Sequence, residues 1–91
     1  VGQLLSHQGG LCGLREPVTV ADLYDWDGMI RRIEAEEPHW TPGEGAGYHA
    51  VLWGYLPGEL ARRLTGRTLG RILAERVAGP LSADCYLGLP D

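Results

Sequence analysis

The sequence has no lysine and no phenylalanine, and it holds only two cysteines and one methionine among 91 residues. Without lysine, all fixed positive charge rests on eight arginines. A guanidinium stays protonated and cannot become the neutral amine that a buried lysine supplies as a base. Cys12 and Cys85 form no Cys-x-x-Cys pair, and His7, His39 and His49 are too scattered for the short paired spacings that zinc sites favour. No metal and no cofactor is expected, and the two thiols read as unrelated rather than as a disulfide. A formal net charge of -4, with no basic patch interleaved with aromatics, argues against a nucleic-acid partner. No apolar run reaches the roughly 18 residues of a membrane span. No basic-then-apolar signal segment opens the chain, so the compartment stays open, with the cytoplasm as the default expectation.

Length sets a further bound. A chain this short is one domain at most and buries roughly two-thirds of its unfolded surface, which leaves a thin margin of stability. It starts at Val1 without an initiator methionine and stops at Asp91 after a strand-like run, so both ends read as cut. Three tryptophans and four tyrosines carry more aromatic surface than so small a core readily hides. Residues 1–91 are therefore read as part of a larger domain that needs its remainder as partner.

Glycine is what the chain has in quantity, and it concentrates in Trp40-Thr-Pro-Gly-Glu-Gly-Ala-Gly-Tyr48-His49-Ala50. Pro42-Gly43 predicts a turn, and Gly45 and Gly47 predict backbone free to take positive φ and to approach a neighbour closely. A tyrosine at the end of such a loop is presented rather than merely packed, which makes Tyr48 the candidate for chemistry. A phenol has a reference pKa of about 10 and acts as a base at neutral pH only beside a cation that favours the phenolate. The suitable cation is a lysine, and it has to come from sequence outside these residues.

The rest of the chain reads as helices joined by glycine-proline loops. Gly2 to Leu5 is a short lead into the Ser6-His7-Gln8-Gly9-Gly10 turn. Ser6 and His7 could be nucleophile and base, but adjacent residues rarely aim at one another and no Gly-x-Ser-x-Gly elbow surrounds Ser6; a role in tying loop backbone is the better reading. Residues 12 to 18 should be irregular, with Arg15 and Glu16 solvated. Thr19 caps a helical turn. Trp26, Met29, Ile30 and Ile33 then form one apolar stripe on a helix reaching about Glu37, with Arg31, Arg32, Glu34, Glu36 and Glu37 on its wet face and Pro38 closing it. A helix from about Ala50 to Leu64 buries Leu52, Leu56, Leu60 and Leu64, with Pro57 inside at a cost of about 3 kcal/mol unless the helix kinks. Thr68 caps a last helix with Leu69, Ile72, Leu73 and Val77 inward, ended by Gly79-Pro80. Cys85-Tyr86-Leu87 reads as an entering strand or extended exit.

Four segments in order resemble one family. Pro42-Gly43, four residues, then Tyr48 is similar to the loop of the catalytic tyrosine in serine hydrolases related to class C β-lactamases and penicillin-binding proteins. Leu4-Leu5-Ser6-His7-Gln8-Gly9-Gly10-Leu11 looks like that family's Leu-Leu-x-His-Thr-Ser-Gly-Leu segment. Gly54-Tyr55-Leu56-Pro57-Gly58-Glu59-Leu60 with Thr65-Gly66-Arg67, and the tail from Gly79-Pro80-Leu81 through Gly88-Leu89-Pro90, match as well. The chain departs at Ala50, where the lactamases have asparagine, and in lacking a Ser-x-x-Lys; Tyr48-His49-Ala50 looks more like the esterase-type branch.

The resemblance implies a mainly α fragment: the helical part of an α/β, β-lactamase-like catalytic domain of the serine-type D-Ala-D-Ala carboxypeptidase/transpeptidase kind, its sheet mostly missing. It implies acyl-enzyme chemistry on carboxylic esters or related small acyl substrates, with Tyr48 as general base and acid, and His49 and Trp40 at the substrate pocket. The alternative from another class is a non-catalytic binding module that grips a peptide or glycan with the Trp40 to Tyr48 loop.

Overall fold

The computed structural model describes residues 1–89 and divides into two compact units, Val1–Pro57 and Gly58–Asp91. Pro90, the last residue of the tail motif, lies outside the described residues. Among the described residues there are helices and turns but no strand.

In the first unit, helix α1 (Gly2–Leu5) is a single turn. Helix α2 (Val20–Tyr24) starts at Thr19, whose hydroxyl accepts the Asp22 N–H while the Asp22 carboxylate accepts the Thr19 N–H. This reciprocal cap satisfies donors that the first turn would otherwise leave unpaired. The Thr19 hydrogen bonds, with Arg32 at 3.2 Å, hold the Asp22 carboxyl below its ordinary range. Helix α3 (Trp26–Ala35) is capped by Asp25, which accepts the Gly28 N–H at 3.0 Å. A Cβ at residue 28 would lie 2.2 Å from the Asp25 carboxylate, so a larger residue there would push the capping side chain aside.

α3 stops at Ala35, short of the expected Glu37. Glu36 turns to extended backbone, and its carboxylate takes both the guanidinium and the backbone N–H of Arg15. Arg15 also donates to the Glu37 carbonyl. Arg15 and Glu36, expected as solvated side chains, instead latch the irregular segment after Leu14 to the helix end, and the latch lowers the Glu36 carboxyl below its usual range.

Met29, Ile30 and Ile33 are buried on the inner face of α3 and meet Leu52 at the start of helix α4 (Leu52–Thr65), with Leu11, Leu14, Tyr55 and Leu56 packed around them. Trp26 stays partly exposed, against Tyr55 at 5.0 Å between ring centres. The Tyr55 hydroxyl donates to the Leu23 carbonyl at 2.6 Å, and burial pushes that phenol's pKa up.

The second unit begins inside α4, which continues through Pro57 as expected. The four-residue leucine stripe fades along it: Leu52 is buried, Leu56 and Leu60 are half-buried and Leu64 is exposed. The expectation that all four are buried is corrected, because nothing among the described residues of this unit covers the last turn. Glu59 is buried instead, held by Arg62 and Arg63 at 2.7 Å each. Helix α5 (Leu69–Leu73) follows its Thr68 cap, and the chain goes on through a π-helical turn, Ala74–Ala78, into α6 (Gly79–Leu81). Gly79-Pro80 therefore does not end the helical run, which passes through both residues, and Ser82 ends it in left-handed conformation. Leu69 and Val77, expected inward, are exposed. Cys85 to Leu87 is irregular rather than a strand, and the Leu87 carbonyl lies where a Cβ on Gly70 would be 2.5 Å away.

Candidate active site

The Trp40 to Tyr48 loop is built by turn chemistry at one end and steric economy at the other. Thr41 to Glu44 close a turn, with the Glu44 N–H donating to the Thr41 carbonyl at 3.0 Å. Pro42 and Gly43 take its two central places, the arrangement that wants proline first and a positive-φ glycine second; Gly43 has φ 94°. Its N–H donates to the Gln8 carbonyl, which ties the turn to the segment after α1.

Of the two uses expected of Gly45 and Gly47, positive φ is not taken and close approach to a neighbour is. They are small because the Trp40 indole lies under them: a Cβ on Gly47 would be 2.6 Å from Trp40 Cη2, and one on Gly45 would be 3.2 Å from Cδ1. Gly10 works the same way from below. With φ 78°, it sits where a Cβ would be 2.5 Å from the Trp40 carbonyl oxygen, and its own carbonyl accepts the His39 N–H at 2.8 Å.

Tyr48 emerges from this packing with 77% of its surface exposed on this chain. Its ring rests against His7 at 5.2 Å between centres. The backbone on both sides is held by that same histidine. The Gly47 N–H donates to the His7 carbonyl at 3.1 Å, and the His49 N–H donates to His7 Nδ1 at 3.0 Å. Accepting at Nδ1 requires the neutral ring with its proton on Nε2.

His49 lies inside the loop rather than on its surface. It is wholly buried, its Nδ1 bonded to the Gly47 carbonyl and its ring edge-on to Trp40 at 6.0 Å. If Nδ1 donates there, Nε2 is a buried lone pair without a partner among the described residues. Trp40 also turns inward beneath the glycines, its Nε1 buried and unpartnered among the described residues. Both expected pocket residues thus shape the loop from inside, and Tyr48 alone of the three stands open. Ala50 is exposed and helps line an apolar groove of about 280 Å³ with Cys12, Leu23 and Met29.

Ser6 donates its hydroxyl to the Gly2 carbonyl at 2.8 Å, and the neighbouring His7 Nδ1 is occupied by His49, so His7 does not serve Ser6 as a base. The expectation that Ser6 and His7 tie loop backbone holds. What sequence reasoning missed is which backbone His7 ties, 42 positions away. The only signal was that both residues lie in segments sharing one family resemblance. Both cysteines are free, and no group of three metal-ligating side chains occurs among the described residues.

The sequence profile described as Beta-lactamase matches residues 1–91. The chain belongs to that family. Among relatives of this β-lactamase-family chain, "Esterase/beta-lactamase LipL" of Mycobacterium tuberculosis (strain ATCC 25618 / H37Rv) is 40% identical across 99% of the chain and 21% of its own length. A solved family VIII carboxylesterase is 53% identical with a TM-score of 0.90, covering 97% of the chain and 25% of its own. A penicillin-binding-protein homologue from Caulobacter crescentus is 44% identical with a TM-score of 0.89, covering 98% of the chain and 24% of its own. The chain thus spans between a fifth and a quarter of these relatives, and its all-helical structure matches a helical part of β-lactamase-like folds.

Proposed function

We propose that residues 1–91 are part of the catalytic domain of a serine hydrolase that cleaves carboxylic esters or related acyl substrates, with Tyr48 as the group that moves the proton. The observation that carries this is Tyr48 itself, an exposed phenol on a loop whose backbone is fixed on both sides of it, in a chain whose relatives bear esterase names.

The serine and lysine belong to sequence beyond these residues. An ammonium beside a phenol favours the phenolate. The phenolate takes the seryl hydroxyl proton as the seryl oxygen bonds to the acyl carbon, and collapse of the tetrahedral intermediate breaks the bond to the leaving alkoxide, which receives that proton from Tyr48. Water then attacks the acyl-enzyme. Its proton passes to Tyr48 and on to the departing seryl oxygen, releasing the acid. No cofactor enters this cycle.

Position 50 bears on substrate class. An asparagine there can hydrogen-bond an amide of the substrate, while Ala50 offers a methyl group, a difference of about 1 kcal/mol or more. The full-length protein should therefore prefer short or medium acyl esters over β-lactams. The binding-module reading loses support because the Trp40 indole is taken up beneath Gly45 and Gly47 rather than presented. The test is to assay the full-length protein on a p-nitrophenyl ester and on a chromogenic cephalosporin. A higher kcat/KM on the ester is expected, and a higher value on the cephalosporin contradicts the reading. The 91-residue chain alone should turn over neither.

A further inference from the structure

We infer that His7 is the positioning residue for Tyr48, gripping the backbone on each side of the tyrosine; the inference rests on the proton-transfer role proposed for Tyr48. Two amides two positions apart, Gly47 and His49, converge on a single residue, one on its carbonyl and one on its ring nitrogen. Tyr48 lies between them, and its ring is braced by the same imidazole. Nothing else in the loop is held in this paired way.

His7 is itself anchored. The Ser6 N–H donates to the Gly2 carbonyl at 3.0 Å and the Gln8 N–H to the Gln3 carbonyl at 2.8 Å, so the residues before and after it are pinned to α1. Its ring packs against those of His49 at 5.5 Å and Trp53 at 5.9 Å, and Trp53 Nε1–H donates to the Leu5 carbonyl. His7 also takes φ 62°, the left-handed region that most side chains avoid and that histidine, asparagine and aspartate enter more readily. Such strain persists where the surroundings over-determine it, and it gathers at functional sites. The geometry runs from α1 through His7 to the phenol, and an error of about 1 Å in placing a reacting group can cost on the order of a hundredfold in rate.

Two substitutions in the full-length enzyme separate positioning from general support. Both His7→Asn and His7→Gly remove the ring and tolerate the left-handed backbone, but only asparagine keeps an acceptor where Nδ1 stands. Active sites are counted by labelling with a fluorophosphonate, so unfolded molecules do not enter kcat. For His7→Gly, kcat on a p-nitrophenyl ester should fall about tenfold or more with KM within about twofold, the pattern of lost transition-state placement. His7→Asn should recover most of that loss. Wild-type kcat in His7→Gly, or a kcat in His7→Asn as low as in His7→Gly, overturns the inference. Tyr48→Phe is the control: if it is crippled while His7→Gly is not, the role of His7 fails alone, and if it keeps wild-type turnover, the proton-transfer reading fails and the inference with it.

Discussion

The two units hold their backbone by different means. Val1–Pro57 has a buried apolar cluster of Met29, Ile30, Ile33 and Leu52, and its loops are fixed by contacts between residues far apart in sequence: His39 to Gly10, Gly43 to Gln8, His49 to His7. Among the described residues, Gly58–Asp91 buries little apolar surface beyond Ala78. Much of its side-chain pairing is local, with Glu59 between Arg62 and Arg63 and Glu75 between Arg67 and Arg71. Dense long-range packing fixes a loop to the precision a reacting group needs, whereas neighbouring ion pairs on helices lend tenths of a kcal/mol and little positional constraint. The open phenol belongs to the first kind of region.

Substitutions should separate the two regions in size of effect. Met29→Ala removes a fully buried side chain from the first unit and should cost about 2–5 kcal/mol, read as a lower urea midpoint; a cost no larger than that of a surface change would break the contrast. Gly47→Ala drives a methyl group into the Trp40 ring and should cost about 1–3 kcal/mol as overpacking. Adding Trp40→Leu should relieve part of that cost, and strict additivity of the two changes would show that the indole is not what the methyl meets. Leu64→Gln, on the exposed last turn of α4, should shift stability by no more than about 0.5 kcal/mol, unless the remainder of the protein covers that turn.

The smallest effect belongs to Glu75. The Arg71 hydrogen bond, followed by the charges of Arg67, Arg71 and Arg76, holds its carboxyl below the ordinary value of 4.5. A carboxyl lowered by folding stabilises the folded state above its unfolded value, and that contribution is lost as pH falls through the lowered folded value. The wild-type advantage over Glu75→Gln should therefore be present at neutral pH, vanish in strong acid and shrink with added salt. An advantage that grows on acidification would contradict the pairing.

Legibility in the sequence follows the same divide. The α3 stripe and the Thr19 and Thr68 caps were readable because period and capping chemistry are local. Pro42-Gly43 announced its turn for the same reason. The end of α3 was not readable, since Arg15 sets it from 21 positions away. Nor was it readable which of the two expected uses Gly45 and Gly47 serve: glycine looks alike in sequence whether it takes positive φ or leaves room for an indole beneath it. The leucine stripe of α4 promised burial that only a covering partner could supply, so Leu64 stayed out. The exposure of Tyr48 was readable from its loop, whereas the inward packing of His49 and Trp40 was not, because it depends on the glycines above the indole and on His7.

The central claim is that Tyr48 transfers the proton during acylation, and the acylation step can be watched by itself. Stopped-flow release of p-nitrophenol in the first turnover gives an acylation rate constant and, from its saturation with ester, a dissociation constant. For Tyr48→Phe in the full-length protein, the acylation rate constant should fall by about 10²–10⁴-fold, while the dissociation constant stays within about twofold because the phenol acts in the transition state and not in ground-state binding. An unchanged first-turnover rate, or a loss carried by the dissociation constant, would contradict the assignment.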